Sequence, residues 1–207
     1  MIRVLEARFV TTAVEPKGYP MGTMPEVAFV GRSNVGKSSM INTLTARKKL
    51  VRVSNTPGRT RTLNFFEVDL GLGRRETRET IRLADLPGYG FAKVAKTEKA
   101  GWELMITRYL NERAPLKVVV SIVDAEVGAT PDDMRMLGFL QEAPPQILVA
   151  ATKLDRLPKA KRKPALHKMA DDLGVPREAV LGFSSTEKFG LEELWASLVN
   201  VLLPRES

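Results

Sequence analysis

Short apolar runs alternate with amphipathic segments along most of the chain. Uninterrupted apolar runs predict strands, whereas apolar residues at three- and four-residue spacing predict helices. The predicted strands are Glu26–Val30, Leu63–Leu70, Thr80–Ala84, Val118–Val123, Gln146–Ala151 and Val180–Phe183. The predicted helices are Lys37 to about Ala46, Lys96–Glu112, Pro131–Gln141, Pro164–Leu173 and Leu191–Leu203.

This order of elements predicts an α/β fold. Apolar strands such as VVVSIV and ILVA, alternating with helices, are typical of a mostly parallel sheet covered on both faces. A chain of 207 residues is long enough for one compact unit with its own core. We expect residues 1–21 to form an N-terminal extension packed on a single domain of residues 22–207. Functional motifs should directly follow strands, where such sheets bind ligands.

Composition narrows the chemistry. With 43% apolar and 27% charged residues, the chain is neither disordered nor fibrous. It contains no cysteine and one histidine, His167, which excludes disulfides, thiolate or multi-histidine metal sites and a cysteine nucleophile. No apolar stretch could cross a bilayer and no secretory signal is present. We therefore expect a soluble cytoplasmic protein with no membrane partner.

The net charge of +8 is concentrated in two stretches. Residues 31–66 include eight basic residues and no acid, and residues 156–168 include six basic residues and no acid. Concentrated positive charge favours a polyanionic partner through counterion release. The alternative is a solvated basic surface. Two such stretches in one chain favour a nucleic-acid partner.

One motif matches the phosphate-binding pattern G-x-x-x-x-G-K-[ST]. It follows a predicted strand and opens a predicted helix, which is the context that the pattern requires. Glycines let the backbone wrap phosphates, and amides at the helix start face the anion. Lys37 would bridge the β- and γ-phosphates and the Ser38 hydroxyl would bind Mg²⁺. The residues are Gly31, Arg32, Ser33, Asn34, Val35, Gly36, Lys37 and Ser38.

Three further motifs follow predicted strands. Asp85-Leu86-Pro87-Gly88 can hold Mg²⁺ through water at Asp85 and bring the Gly88 amide near the γ-phosphate. In Thr152-Lys153-Leu154-Asp155, the Asp155 carboxylate can accept from guanine N1–H and the N2 amine, neither of which adenine offers. Phe183-Ser184-Ser185 could contact guanine O6 through backbone amides. Between the phosphate-binding motif and DLPG, residues 55–62 contain three threonines, one of which would complete the Mg²⁺ shell.

These motifs resemble those of the EngB (YihA/YsxC) group of ribosome-biogenesis GTPases, in the TRAFAC class. The resemblance runs from FVTTAVEPKGYP through GRSNVGKSS, NTPGRTRTLNFF, DLPGYGFAKV and TKLD to FSS. It implies a single G domain, a P-loop NTPase fold with five helices around a six-stranded mixed sheet. It also implies GTP or GDP as ligand, the large ribosomal subunit as partner, and a link to septum formation in cell division. We expect a monomer off the ribosome.

The resemblance also assigns individual residues. Thr60 would be the switch threonine on Mg²⁺, within an effector loop of Gly58, Arg59, Thr60, Arg61 and Thr62. Lys153 would lie along the base. Asn34 resembles the position that binds K⁺ in potassium-stimulated relatives. The residues assigned to catalysis are therefore Lys37, Asn34, Thr60 and Gly88.

Hydrolysis is expected to be slow. Efficient GTPases place a polar residue, usually Gln, after D-x-x-G to orient water, and this chain has Tyr89 there. Help could come from a partner or from K⁺, since an activating partner contributes on the order of 10⁵ in rate. Two alternatives stay open: a non-hydrolysing GTP sensor that binds RNA as a scaffold, and a P-loop small-molecule kinase.

Two aromatic residues near DLPG and two acids near a predicted helix start could each have more than one role. Tyr89 and Phe91, near several lysines, could stack on RNA bases, or could pack locally. Asp132 and Asp133 are interpreted as acids at a helix terminus without a functional role.

Overall fold

The computed structural model describes residues 2–51, 62–73, 77–90 and 96–204. The strands in this part of the chain are β1 (Ile2–Ala13), β2 (Glu26–Gly31), β3 (Leu63–Leu72), β4 (Thr77–Asp85), β5 (Leu116–Asp124), β6 (Gln146–Thr152) and β7 (Val180–Gly182). They form one sheet in the order β1-β3-β4-β2-β5-β6-β7. β3 is antiparallel to both of its neighbours, and the remaining pairs are parallel.

Helices cover both faces of this sheet. They are α1 (Lys37–Leu44), α2 (Lys96–Glu112), α3 (Pro131–Gln141), α4 (Lys159–Leu173) and α5 (Leu191–Leu202). Successive side chains of a strand point to opposite faces, so Val27 and Phe29 pack with α1 and α5 while Ala28 and Val30 pack with α2 and α3. A third cluster joins α3 and α4 to β5 and β6. The predicted α/β class with a mixed, mostly parallel sheet is confirmed.

The strand count differs from the prediction by one. Six strands were expected, and the described residues contain a seventh, β1, at the sheet edge. β1 pairs with β3 along its length, from Ile2 opposite Leu72 to Ala13 opposite Leu63, with two register shifts. Only two of its twelve residues are buried, and charged residues at 3, 6 and 8 interrupt its apolar ones, so its sequence carries no uninterrupted apolar run. Backbone pairing incorporates this segment into the sheet, and Ile2, Val4 and Ala7 pack against the core cluster that includes α1 and α5.

Two helix boundaries differ by two residues or more, and α5 ends one residue early, at Leu202. α4 begins at Lys159, five residues before the predicted start at Pro164. The sequence before Pro164 is basic and carries no apolar stripe, so periodicity does not indicate the first turn. α1 ends at Leu44 rather than near Ala46, because Ala46 adopts a left-handed φ of +52° that ends the helix.

Buried charges join the amino ends of the strands to the N-terminal segment. The Glu26 carboxylate is fully buried and accepts hydrogen bonds from Tyr109 Oη at 2.6 Å and Arg113 Nη2 at 2.7 Å. Arg113 also donates to the Pro20 carbonyl at 3.0 Å. Residues before β2 are thereby tied to the domain at the end opposite the predicted motifs.

No helix in the described part of the chain combines the length and apolar content that a bilayer-spanning segment requires.

Candidate functional site

The predicted motifs converge at the carboxyl edge of the sheet. They follow β2, β4, β6 and β7, which are parallel to one another through β5. β2 lies between β4 and β5 in the sheet. After β2 the chain forms β3 and β4 on one side of it, and then forms β5, β6 and β7 on the other side. Ligands of open α/β sheets bind at such a switch point. The structure therefore brings together the phosphate-binding loop, DLPG, TKLD and FSS.

The backbone of the phosphate-binding loop requires its glycines. A Cβ on Gly31 would lie 2.9 Å from the Ile122 carbonyl oxygen, which leaves no room for a side chain. Gly36 adopts a φ of +96° at the start of α1, a conformation that side chains rarely allow. Asn34, at φ +67°, is the other left-handed residue of the loop. The turn leads into the amino end of α1, where free amides attract anions.

Lys37 and Asp85 contact each other at the centre of the site. The Lys37 ammonium hydrogen-bonds the Asp85 carboxylate, and their side chains are 12% and 8% exposed. Ser38, next along α1, is half-buried, and its hydroxyl has no hydrogen bond within the described residues. A hydroxyl and a carboxylate are oxygen ligands of the kind that Mg²⁺ prefers. Ser38 and Asp85 therefore fit the predicted metal, while Lys37 holds Asp85.

The DLPG segment lies directly against the phosphate-binding loop. Leu86 N donates to Phe29 O at 3.0 Å, Tyr89 N to Gly31 O at 3.3 Å, and Ser33 N to Tyr89 O at 3.2 Å. A Cβ on Gly88 would lie 3.1 Å from Ser33 Oγ, so a glycine permits this approach. These hydrogen bonds hold the two segments against each other.

Tyr89 packs inside this junction. It is 8% exposed, its ring contacts Trp102, and its hydroxyl donates to Asp133 Oδ1 at 2.9 Å. Burial, followed by the neighbouring Asp133 charge, raises the pKa of the Tyr89 phenol. Of the two interpretations of Tyr89, local packing is the one observed, and its ring is not available for base stacking in this structure. Phe91 lies outside the described residues.

Asp133 lies at a helix terminus, as predicted, and also contacts two residues of the site. It is 1% exposed, caps α3 by accepting from Thr130 N at 2.9 Å, and lies 3.4 Å from Arg32 Nε of the phosphate-binding loop. The Thr-Pro-Asp-Asp stretch indicates the helix cap. The contacts with Arg32 and Tyr89 join residues far apart in the chain, and no local pattern predicts them.

The TKLD motif is fixed to the phosphate-binding loop. The buried Thr152 hydroxyl donates to Val35 O at 2.5 Å. Lys153 adopts a left-handed φ of +57°, and its ammonium lies 2.6 Å from Asp124 Oδ2, an acid that the sequence analysis did not single out. Asp155 is half-buried, and its carboxylate has no hydrogen-bond donor among the described residues. Leu154 is buried and secures the turn in the core.

The FSS motif offers fewer free amides than predicted. Phe183 N donates to Ala151 O at 2.8 Å and Ser184 N to Phe189 O at 3.1 Å. Only the Ser185 amide has no partner within the described residues, so it is the amide of this motif that is free to face O6. The O6 contact itself stays a prediction. The Phe183 ring lies in the core, 1% exposed.

Most of the predicted effector loop lies outside the part of the chain that the structure describes. Gly58, Arg59, Thr60 and Arg61 lie outside the described residues. Thr62 is described and is half-buried just before β3. The assignment of the switch threonine stays a prediction.

The fold and its converging loops define a P-loop nucleotide-binding protein with a single G domain. A family model described as "50S ribosome-binding GTPase" matches residues 26–153. The chain belongs to the EngB family of GTP-binding proteins, GTPases of the TRAFAC class. This membership argues against the small-molecule kinase alternative.

Individual relatives resemble nearly the whole chain. It is 64% identical to the probable GTP-binding protein EngB of Myxococcus xanthus, over 97% of this chain and 96% of that protein. It is 48% identical to the protein of the same name from Anaeromyxobacter sp. (strain K), over 95% and 91% of the two chains. A crystal structure of a probable GTP-binding protein engB superposes with a TM-score of 0.65 at 26% identity, covering 87% of this chain and all of the other.

Proposed function

We propose that this protein is a Mg²⁺-dependent guanine-nucleotide switch that hydrolyses GTP slowly to GDP and phosphate. One observation carries the proposal: the Thr152 hydroxyl joins the predicted base-reading loop to Val35 in the phosphate-binding loop. A single nucleotide bound at this edge would contact both loops. The unpaired Asp155 carboxylate would accept from guanine N1–H and N2, and the Ser185 amide would donate to O6.

Lys37 supplies the charge for binding the phosphates. In the proposed cycle its ammonium leaves Asp85 and binds the β- and γ-phosphates, where positive charge stabilises the transferring group. Ser38 would then hold Mg²⁺ directly and Asp85 through water, with Thr60 added in the triphosphate state, and the ion would neutralise phosphate charge. The Gly88 amide would approach the γ-phosphate. Water attacks the γ-phosphorus and GDP leaves.

Slow turnover is inferred from Tyr89. Its hydroxyl is held by Asp133 in a buried position, which supports the expectation that it does not orient the attacking water. A partner that supplies the missing stabilisation would add on the order of 10⁵ in rate, about 7 kcal/mol. Asn34, which is exposed at the tip of the loop, could instead bind an activating K⁺.

The proposed partner is the large ribosomal subunit, with action in its assembly. Family membership and the two basic stretches support it, and the second stretch places exposed lysines at 159, 161 and 163 on α4. Phosphate contacts of this kind weaken steeply with salt. We infer that the protein acts in the cytoplasm as a monomer off the ribosome, and the family resemblance supports a role in septum formation.

Co-sedimentation with purified large subunits tests this function. At fixed salt, a non-hydrolysable GTP analogue should carry the protein into the pellet, whereas GDP and no nucleotide should leave it in solution. Equal pelleting in all states would mean nonspecific attraction to RNA and would refute the switch.

A non-hydrolysing sensor that acts as an RNA scaffold is the second candidate, favoured by the buried position of Tyr89. Phosphate release measured with and without large subunits, in K⁺ and in Na⁺, separates the two. Turnover that stays at the level of uncatalysed hydrolysis under every condition would support the scaffold. Equal turnover in K⁺ and Na⁺ would exclude a role for potassium.

A further inference from the structure

Arg162 of α4 lies beside both loops that would read the base. Its side chain is 16% exposed, although it belongs to a helix whose neighbouring basic residues, Lys161 and Lys163, face solvent. A guanidinium that is turned away from solvent needs hydrogen-bond acceptors within the protein. These partners lie in the segments that follow β6 and β7.

The first partners are two backbone carbonyls, one of the last TKLD residue and one of the segment that follows the motif. Arg162 Nε donates to Leu157 O at 3.1 Å, and Nη2 donates to Asp155 O at 3.4 Å. The first of these hydrogen bonds occupies a carbonyl immediately after the short 3₁₀ turn Leu154–Arg156. The guanidinium thereby holds the backbone of Asp155 itself, while the Asp155 carboxylate remains available.

The second partner is Glu187, in the segment that follows FSS. Arg162 Nη1 lies 2.8 Å from Glu187 Oε2, and Nη2 lies 3.1 Å from Oε1, a bidentate pair. The hydrogen bond from Arg162 is the main cause that lowers the pKa of Glu187. Glu187 N in turn donates to the buried Ser184 Oγ at 3.0 Å. The connection therefore reaches the residue next to Ser185.

We propose that Arg162 and Glu187 are positioning residues for base specificity, which set the spacing between the Asp155 carboxylate and the Ser185 amide. This inference rests on the proposed reading of guanine by Asp155. Asp155 would contact one edge of the base and Ser185 its O6, so both contacts form together only at one loop separation. A planar guanidinium can hold two carbonyls and a carboxylate at once, which an ammonium cannot reproduce. Arg162 itself would not touch the nucleotide.

Equilibrium binding of GDP and ADP to the full-length protein with Mg²⁺ tests the proposal. The variants are Arg162→Gln, Arg162→Lys and Glu187→Gln, with Lys163→Ala as the matched control on the same helix. Phosphate contacts are common to both nucleotides, so we expect GDP affinity to fall about tenfold or more and ADP affinity to stay unchanged. Arg162→Lys should behave like Arg162→Gln, because the geometry of the guanidinium matters more than its charge. The control should match the wild type.

The outcomes separate the two levels of inference. If the ratio of GDP affinity to ADP affinity is the same in the Arg162 and Glu187 variants as in the wild type, whether or not both affinities fall, the positioning role is overturned. Guanine reading by Asp155 would remain intact. A wild-type protein with no preference for GDP over ADP would overturn both. Circular dichroism checks that each variant is folded. Because the Glu187 side chain is 44% exposed, Glu187→Gln is the variant expected to disturb folding least.

Discussion

The hydrogen bond from Thr152 to Val35 makes a sharp prediction about how the site is held together. Thr152→Val keeps the shape of the side chain and replaces the hydroxyl with a methyl group. In the structure this hydroxyl is 2.5 Å from Val35 O and 3.2 Å from Val123 O. Both Thr152 and Val35 are buried, at 3% and 2% exposure, so water cannot easily replace the lost donor.

The size of the effect follows from desolvation. Leaving a buried carbonyl without its donor costs about 1–3 kcal/mol in the free energy of unfolding. In a protein of this size, each kcal/mol lowers the melting temperature by about 2–4 °C. Because Val35 belongs to the phosphate-binding loop, part of the cost should also appear as faster dissociation of GDP.

Urea unfolding and release of a fluorescent GDP analogue measure these two quantities. Thr152→Ser, which keeps the hydroxyl, serves as the control and should retain most of the stability and slow release. Thr152→Asn offers an amide donor in its place. If Thr152→Val unfolds within about 0.5 kcal/mol of the wild type and releases GDP equally slowly, the contact does not hold the two loops together.

Three further predictions concern buried polar groups. Glu26→Gln should lower the free energy of unfolding by about 3–5 kcal/mol, because it leaves the buried charge of Arg113 uncompensated. The control Glu112→Gln, at an exposed ion pair, should change it little, and equal effects of the two variants would contradict this reasoning. Tyr89→Phe should cost about 1–3 kcal/mol because buried Asp133 loses a donor, and an unchanged urea midpoint would exclude a stabilising role for this contact. Burial raises the pKa of every tyrosine, namely Tyr19, Tyr89 and Tyr109. Their neutral forms therefore add stability that is fully present below the unfolded pKa of about 10 and is lost as pH rises through the folded values. In an ultraviolet titration the native protein should form phenolate at higher pH than the unfolded protein, and ionisation of both at the same pH would refute the burial argument.

Much of the candidate site could be predicted because its conformation is local. The phosphate-binding loop depends on a glycine that permits a left-handed backbone and on a strand and helix at its ends, all within a short stretch around Gly36. The helices α2, α3 and α5 follow from their apolar stripes. β1 was not predicted because charged residues interrupt its apolar positions, and its backbone pairing with β3 leaves no pattern in the side chains.

The sequence by itself determined the class of fold, the phosphate-binding loop and the candidate residues at the strand ends. Only the tertiary structure decided which side chains hold those loops in place: Thr152 on Val35, Asp124 on Lys153, Asp133 on Tyr89, and Arg162 with Glu187. Each of these contacts joins residues at least 25 positions apart. The strand order brings such partners together, and a polar residue on a loop does not show in its own neighbourhood which distant group it will meet. Local patterns therefore reveal where a nucleotide could bind, whereas the packing of the sheet determines how firmly the site is held.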